Sequence, residues 1–192
     1  MEIEIEIIYI VGCLLGVLSP LTFLYVLSKG VQNFSEENLN LGESWKFIVI
    51  GVIGWTMLIF GLAYTGVFEY QEGDLLPRFL AGLLIPVTIM MLMLLKPTFL
   101  RILDATPLHM LVGAQYFRLF GMVFFLVATT GMGPMDFISS GYGDAATGLI
   151  AIIAGLIIYY RHSMAISFGW IATIIGMLDL VNVSKILLMN YP

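Results

Sequence analysis

Charge is what this chain has least of. Of its 192 residues, 11% are Asp, Glu, Lys or Arg and 60% are hydrophobic, whereas a soluble domain is typically about a quarter charged. A core in water needs a polar shell, and this composition cannot make one, so the expected outer solvent is a bilayer. Basic charge is scarcer still: 8 Lys and Arg stand against 13 Asp and Glu, for a net charge of −5. Phosphate neutralisation needs a basic face, which argues against nucleic acid as a partner. Cysteine is limited to Cys13. An internal disulfide is excluded and the compartment cannot be read from it; among apolar neighbours, Cys13 reads as a small buried hydrophobe. A basic start is missing too. The chain opens Met1-Glu2-Ile3-Glu4-Ile5-Glu6, and a cleavable signal peptide opens on basic residues, so the first hydrophobic run is expected to be retained. With no CxxC, HExxH or Cys/His cluster, a zinc or iron–sulfur site has no support. With no GxSxG and no Walker loop, serine-hydrolase and nucleotide-hydrolase chemistry have none either.

What the chain does have is long apolar runs. Six are long enough to cross ~30 Å of hydrocarbon as helix: Ile7–Ser28, Trp45–Val67, Phe79–Leu95, Pro107–Thr130, Asp144–Tyr160 and Ser163–Met189. The third and fifth are the shortest. No run alternates with period two over a strand length, which argues against a transmembrane barrel. The expected fold is all-α: a polytopic integral membrane helix bundle of about six transmembrane helices, in a single transmembrane domain over 1–192. Lys29, Lys46, Lys96, Arg101 and Arg161 fall on one side of that arrangement, Arg78 and Lys185 on the other. The positive-inside rule then puts the 29–46, 96–106 and 161–162 connections in the cytoplasm and both termini outside. Trp45, Tyr159, Tyr160 and Trp170 fall near the inner interface, and Tyr70 and Tyr191 near the outer one, as interfacial aromatics do.

Local signals punctuate these spans. Thr106-Pro107 is a hydroxyl cap followed by a proline where no amide bond is lost, and starts the fourth span. Asp144, after Gly141-Tyr142-Gly143, reads as the cap of the fifth. Pro20 and Pro86 lie inside spans and are expected to kink them. Gly12 with Gly16, and Gly148, Ala151 and Gly155, are small residues at helical spacing that let helices approach closely. The long 29–46 loop, with Glu36, Glu37 and Asn38, is left without an assignment.

Against this apolar background two opposite charges stand out: Arg118 in the fourth span and Asp179 in the sixth. A charge at bilayer depth costs a few kcal/mol, so it is usually retained for a reason and usually has a partner. At 1.5 Å per residue, Arg118 lies about 17 Å above Pro107 and Asp179 about 24 Å above Ser163. An arginine side chain can bridge that difference near mid-membrane. Gln115 lies one turn before Arg118 on its face; Asn182 lies three residues after Asp179, and Thr173 and Gly176 continue that stripe. One reading is a buried ion pair that fixes helix register without chemistry. The other is a cavity-lining pair that binds or moves a polar ligand or a proton. Asp144 has two readings as well: an N-cap favoured by the helix dipole, or a carboxylate carried inward by the Gly-rich stretch 139–144 so that two aspartates share Arg118. His109 and His162 sit near predicted cytoplasmic helix ends. Two imidazoles at similar depth could ligate a haem, although interfacial histidine is the plainer reading. Among the 12 methionines, Met90, Met91 and Met93 read as packing or lipid-facing residues rather than a copper relay.

Arg118-Leu-Phe-Gly121, Gly141-Tyr-Gly-Asp144 and Gly176-Met-Leu-Asp179-Leu180 together resemble a group of small uncharacterised bacterial multi-span membrane proteins. The resemblance covers about Leu108 to Lys185. It implies Arg118, Asp144 and Asp179 as site residues and a bacterial inner membrane as the location, and it implies no activity. Three functions are compatible with this reading. The first is binding or transport of a small polar or proton-coupled ligand. The second is an accessory subunit of a larger membrane complex, with a membrane partner or a second copy of the chain. The third is a lipid-, quinone- or haem-binding enzyme, in which Arg118 holds an anionic headgroup and an aspartate acts as acid or base. The reading leans away from an enzyme, and no cofactor or metal is strongly implied.

Overall fold

The computed structural model describes residues 2–35, 41–68, 79–160 and 163–189, and every regular element among them is helical. In chain order these are α1 (Glu2–Ser35), α2 (Leu41–Tyr64), α3 (Phe79–Leu94), α4 (Pro97–Ala105), α5 (Leu108–Gly113), a 3-10 segment (Ala114–Met122), α6 (Val123–Thr129), α7 (Phe137–Tyr159) and α8 (Ala165–Met189). Among the described residues, five stretches are long and apolar enough to cross a membrane by length and composition: Ile3–Phe34, Trp45–Tyr64, Leu108–Thr129, Phe137–Tyr159 and Ala165–Ile186. A sixth arises if Leu84–Leu94 and Pro97–Ala105, bent by 92° at their junction, count as one.

The chain divides into two compact units, one from Met1–Phe23 with Pro107–Asn190 and the other from Leu24–Thr106. In the second unit, the latter half of α1 packs on α4. Leu27, Val31, Phe99 and Ile102 are buried there, and Asn33 Nδ2 donates to the Ala105 carbonyl at 2.8 Å. The 96–106 connection is therefore not the loop that the apolar runs imply. Pro97 takes the first helical position, where its missing N–H costs nothing, and a further helix follows.

The first unit carries the polar residues. Its centre is α7, whose buried positions are Ser140, Gly141, Asp144, Thr147, Gly148, Ala151, Ala154 and Gly155. These recur at helical spacing on one face, and all are small or polar. Small residues let backbones come together: a methyl group on Gly148 would sit 2.7 Å from the Leu119 amide nitrogen, and one on Gly155 would sit 3.1 Å from the His109 carbonyl oxygen. Against that seam α8 presents Gly169, Ala172, Gly176 and Asp179, all buried. A small apolar core of Val112, Ala154 and Ala172, flanked by Ile150, Ile158 and Phe168, closes one end of it.

Two local features differ from the sequence reading. First, α7 begins at Phe137, so 139–144 is helix rather than a glycine-rich turn, and Asp144 is an interior residue rather than a cap. The turn lies earlier. Gly131 takes φ +74° and donates to the Ala128 carbonyl at 3.2 Å, the left-handed stop that glycine accepts after a helix. Second, the fourth span is helical throughout but tightens to 3-10 winding over Ala114–Met122. Cys13 also departs from expectation, being exposed; Gly12 beside it has nothing within 4 Å of its added methyl position among the described residues.

The seam makes a direct prediction. Gly148→Ala costs about 1–3 kcal/mol in overpacking and regains about 1 kcal/mol of helix propensity, a net loss of about 1 kcal/mol. Thermal unfolding in detergent reads this out, with Gly51→Ala, which meets nothing within 4 Å, as the comparison. Equal shifts for the two variants would show that α7 and the 3-10 segment do not approach this closely.

Candidate functional site

Three helical elements bring one charge each to the same place. Arg118 lies on the 3-10 segment, Asp144 on α7 and Asp179 on α8. Arg118 Nε is 2.9 Å from Asp144 Oδ1, with 9% and 12% of the two side chains exposed. Arg118 Nη2 is 3.1 Å from Asp179 Oδ2, and that aspartate side chain is 4% exposed. This second contact is close enough for charge attraction but lacks the alignment of a hydrogen bond. The third guanidinium nitrogen, Nη1, donates to the Gly176 carbonyl at 3.2 Å. Every arm of the arginine is thus engaged, which suits a planar fork with several fixed donors better than it would a lysine ammonium.

Three glycines make this meeting possible, in a closed cycle. A methyl group on Gly121, three residues after Arg118, would fall on the side chain of Asp144. One on Gly143, next to Asp144, would fall on the carboxylate of Asp179. One on Gly176, three residues before Asp179, would lie 2.8 Å from Gln115 Oε1 and 3.2 Å from Arg118 Nη1. Each charge-bearing stretch therefore vacates the space that the next stretch's polar side chain fills. The 3-10 winding contributes to this. At three residues per turn, positions i, i+3 and i+6 stack in one line, so Gln115, Arg118 and Gly121 all point the same way. In an α-helix they would fan apart by 60° at each step.

The other residues expected at the site fall as follows. Gln115 joins the centre through Gly176. Asn182 lies beyond it, where its Nδ2 donates to Ser139 Oγ at a long 3.5 Å. His109 packs edge-on against Tyr159 with ring centroids 5.1 Å apart, away from the charges. His162 lies outside the described residues. Two residues that sequence reasoning passed over are Ser140 and Thr147. Both are fully buried, and neither hydroxyl has a hydrogen-bond partner. Their signal was the i, i+4, i+7 spacing of Ser140, Asp144 and Thr147, legible only once that stretch is taken as helix.

If both aspartates are ionised, the cluster holds one negative charge in excess inside a set of apolar helices. Such a site can bind a proton or a cation, or orient a small polar group. Among the described residues, no group of three or more His, Cys, Asp or Glu is arranged to hold a metal ion. The family model described as Domain of unknown function (DUF8737) matches residues 76–190, a range that includes all three charges and all three glycines. No curated protein and no solved structure matches the chain.

Proposed function

This chain belongs to the DUF8737 family, and from that premise we propose that it is an integral membrane protein whose Arg118–Asp144–Asp179 centre binds or transports a small polar or proton-coupled ligand. One observation carries the proposal: a single buried guanidinium is divided between carboxylates from two different helices. Ionisable groups at bilayer depth are costly, face the interior of a bundle, and mark ligand or ion pathways.

Two further observations support it. Ile166, Trp170, Met177, Leu178 and Val181 on α8 are each more than half exposed, an apolar surface of the kind that lipid covers. In addition, regular α-helical winding is interrupted around Arg118, and membrane transporters build their mid-membrane sites on discontinuous helices. The proposal carries a location with it: a bacterial inner membrane, with the side that bears Lys29 near the end of α1, Lys46 near the start of α2, Lys96, Arg101 on α4 and Arg161 in the cytoplasm and both termini outside.

The test is flux. Full-length protein in lipid vesicles with an entrapped pH-sensitive dye should dissipate an imposed pH gradient faster than empty vesicles, alone or when a panel of small polar solutes is added outside. Asp179→Asn should return the rate to that of empty vesicles while the protein still inserts and keeps its helical circular dichroism. If wild type and empty vesicles behave alike throughout, the transport reading fails.

A further inference from the structure

We infer that the centre's own ligand is a single proton, shared between the carboxyl groups of Asp144 and Asp179. The inference rests on the reading of this cluster as a working site, and it names what the site holds. Its first support is the division of the guanidinium. The Nε/Nη2 edge of an arginine ordinarily grips both oxygens of one carboxylate. Here that edge receives one oxygen from each of two carboxylates, so the two acidic groups are held side by side. The pair carries one negative charge more than the guanidinium neutralises, an unneutralised buried charge is costly, and one proton held between the two carboxyl groups removes it.

No other cation on the packed elements, among their described residues, meets the cluster to neutralise the excess. Among the described residues of the packed elements, the 3-10 segment carries Arg118, α7 carries Asp144, and α8 carries Asp179 and the exposed Lys185. His109 on α5 faces Tyr159, and the Tyr116 hydroxyl is engaged with Thr22 at 3.1 Å.

Packing at the glycines is tight: a methyl group on Gly121 or Gly143 would overlap an aspartate side chain, and one on Gly176 would crowd Gln115 and Arg118. A proton needs no added room there. Binding forms one O–H bond on an aspartate oxygen and takes the cluster from one negative charge to neutral; release breaks that bond and restores the charge.

The buried hydroxyls provide the second, independent observation. Elsewhere in these helices, Thr56, Thr106, Thr130, Thr173 and Ser184 each donate to the carbonyl one turn back. Ser140 and Thr147 do not, although both are fully buried. They lie on the same face of α7, one turn to either side of Asp144, and both oxygens of Asp179 likewise lack a donor. A hydroxyl not committed to the backbone can donate to a carboxylate and accept in turn, so Ser140 and Thr147 flank the acid pair as its proton contacts toward the two ends of α7.

Infrared spectroscopy of the full chain in vesicles at neutral pH tests this. The expected result is a protonated-carboxyl C=O band that shifts in D2O, shifts again when aspartate is labelled with carbon-13, and vanishes in Asp144→Asn and in Asp179→Asn. The labelling arm uses wild type alone, so the test stands even where a variant fails to fold. A wild type without the band, a band that the label leaves unmoved, or a band that survives in both variants overturns the inference. Ser140→Ala combined with Thr147→Val should keep the band and slow proton flux; flux that follows a sodium gradient instead of a pH gradient overturns the assignment of the proton. The two readings fail separately. A band without flux in any assay sinks transport and leaves the shared proton, and flux without a band does the reverse.

Discussion

Arg118→Met should be the most damaging single substitution in the chain. It removes the cation that two buried carboxylates share, and stripping one partner from a buried ion pair costs about 3–5 kcal/mol. The loss exceeds that of the contact itself, because Asp144 and Asp179 are then left together with no counter-charge. Arg118→Lys should cost less, since it keeps the charge, but it should not reach wild type: one ammonium cannot span Asp144, Asp179 and the Gly176 carbonyl with fixed geometry. Combining Arg118→Met with Asp144→Asn and Asp179→Asn should recover much of the stability, because an uncharged, well-packed replacement removes the burden on all three at once. Denaturant unfolding in detergent gives the ranking. An Arg118→Met midpoint equal to wild type would mean that the cluster does not hold the helices together.

Gly143→Ala should be the next most damaging, for a different reason. Its methyl group would land on the Asp179 carboxylate. Either α7 and α8 separate, or Asp179 swings away from Arg118. The first route costs about 1–3 kcal/mol in overpacking; the second breaks a buried pair at a still higher cost. The cheaper route sets the cost, and the overlap at Gly143 places it at the upper end of that range, so a net loss of about 2 kcal/mol is expected after the helix-propensity gain of about 1 kcal/mol. Gly12→Ala, which meets nothing within 4 Å, should keep the propensity gain of about 1 kcal/mol with no loss to set against it. A double-mutant cycle with Asp179→Ser isolates the collision: with the shorter side chain, Gly143→Ala should cost much less. If its cost is the same in both backgrounds, the two residues are not in contact.

Such collisions explain why parts of the site were legible in advance and others were not. Arg118 and Asp179 were conspicuous because each is alone in an apolar run, and a lone charge there stands out by its cost. Asp144 was visible as a carboxylate, but its place was ambiguous. Two glycines and two serines before it carry weak helix propensity, so 139–144 read as a turn. Packing reversed that preference: Gly141 meets the Phe125 ring at 3.0 Å from its added methyl position, and Gly143 receives Asp179. Those contacts form only in the helix and outweigh about 1 kcal/mol per glycine. Ser140 and Thr147 were hidden by the same misreading, since their alignment with Asp144 depends on helical spacing.

Local composition determined by itself that the described residues are helical, that five or six of the helices are long and apolar, and that Arg118 and Asp179 stand out as charges within apolar runs. These follow from the price of charge in hydrocarbon and from the length of the apolar runs, which need no knowledge of neighbours. Only the tertiary structure decided that Arg118 serves two aspartates rather than one, that the fourth span tightens to 3-10 winding around it, and that Gly121, Gly143 and Gly176 each vacate space for the next charge. Those outcomes depend on which backbone lies against which, and a side chain's partner across a helix interface is fixed by the room left on the other side.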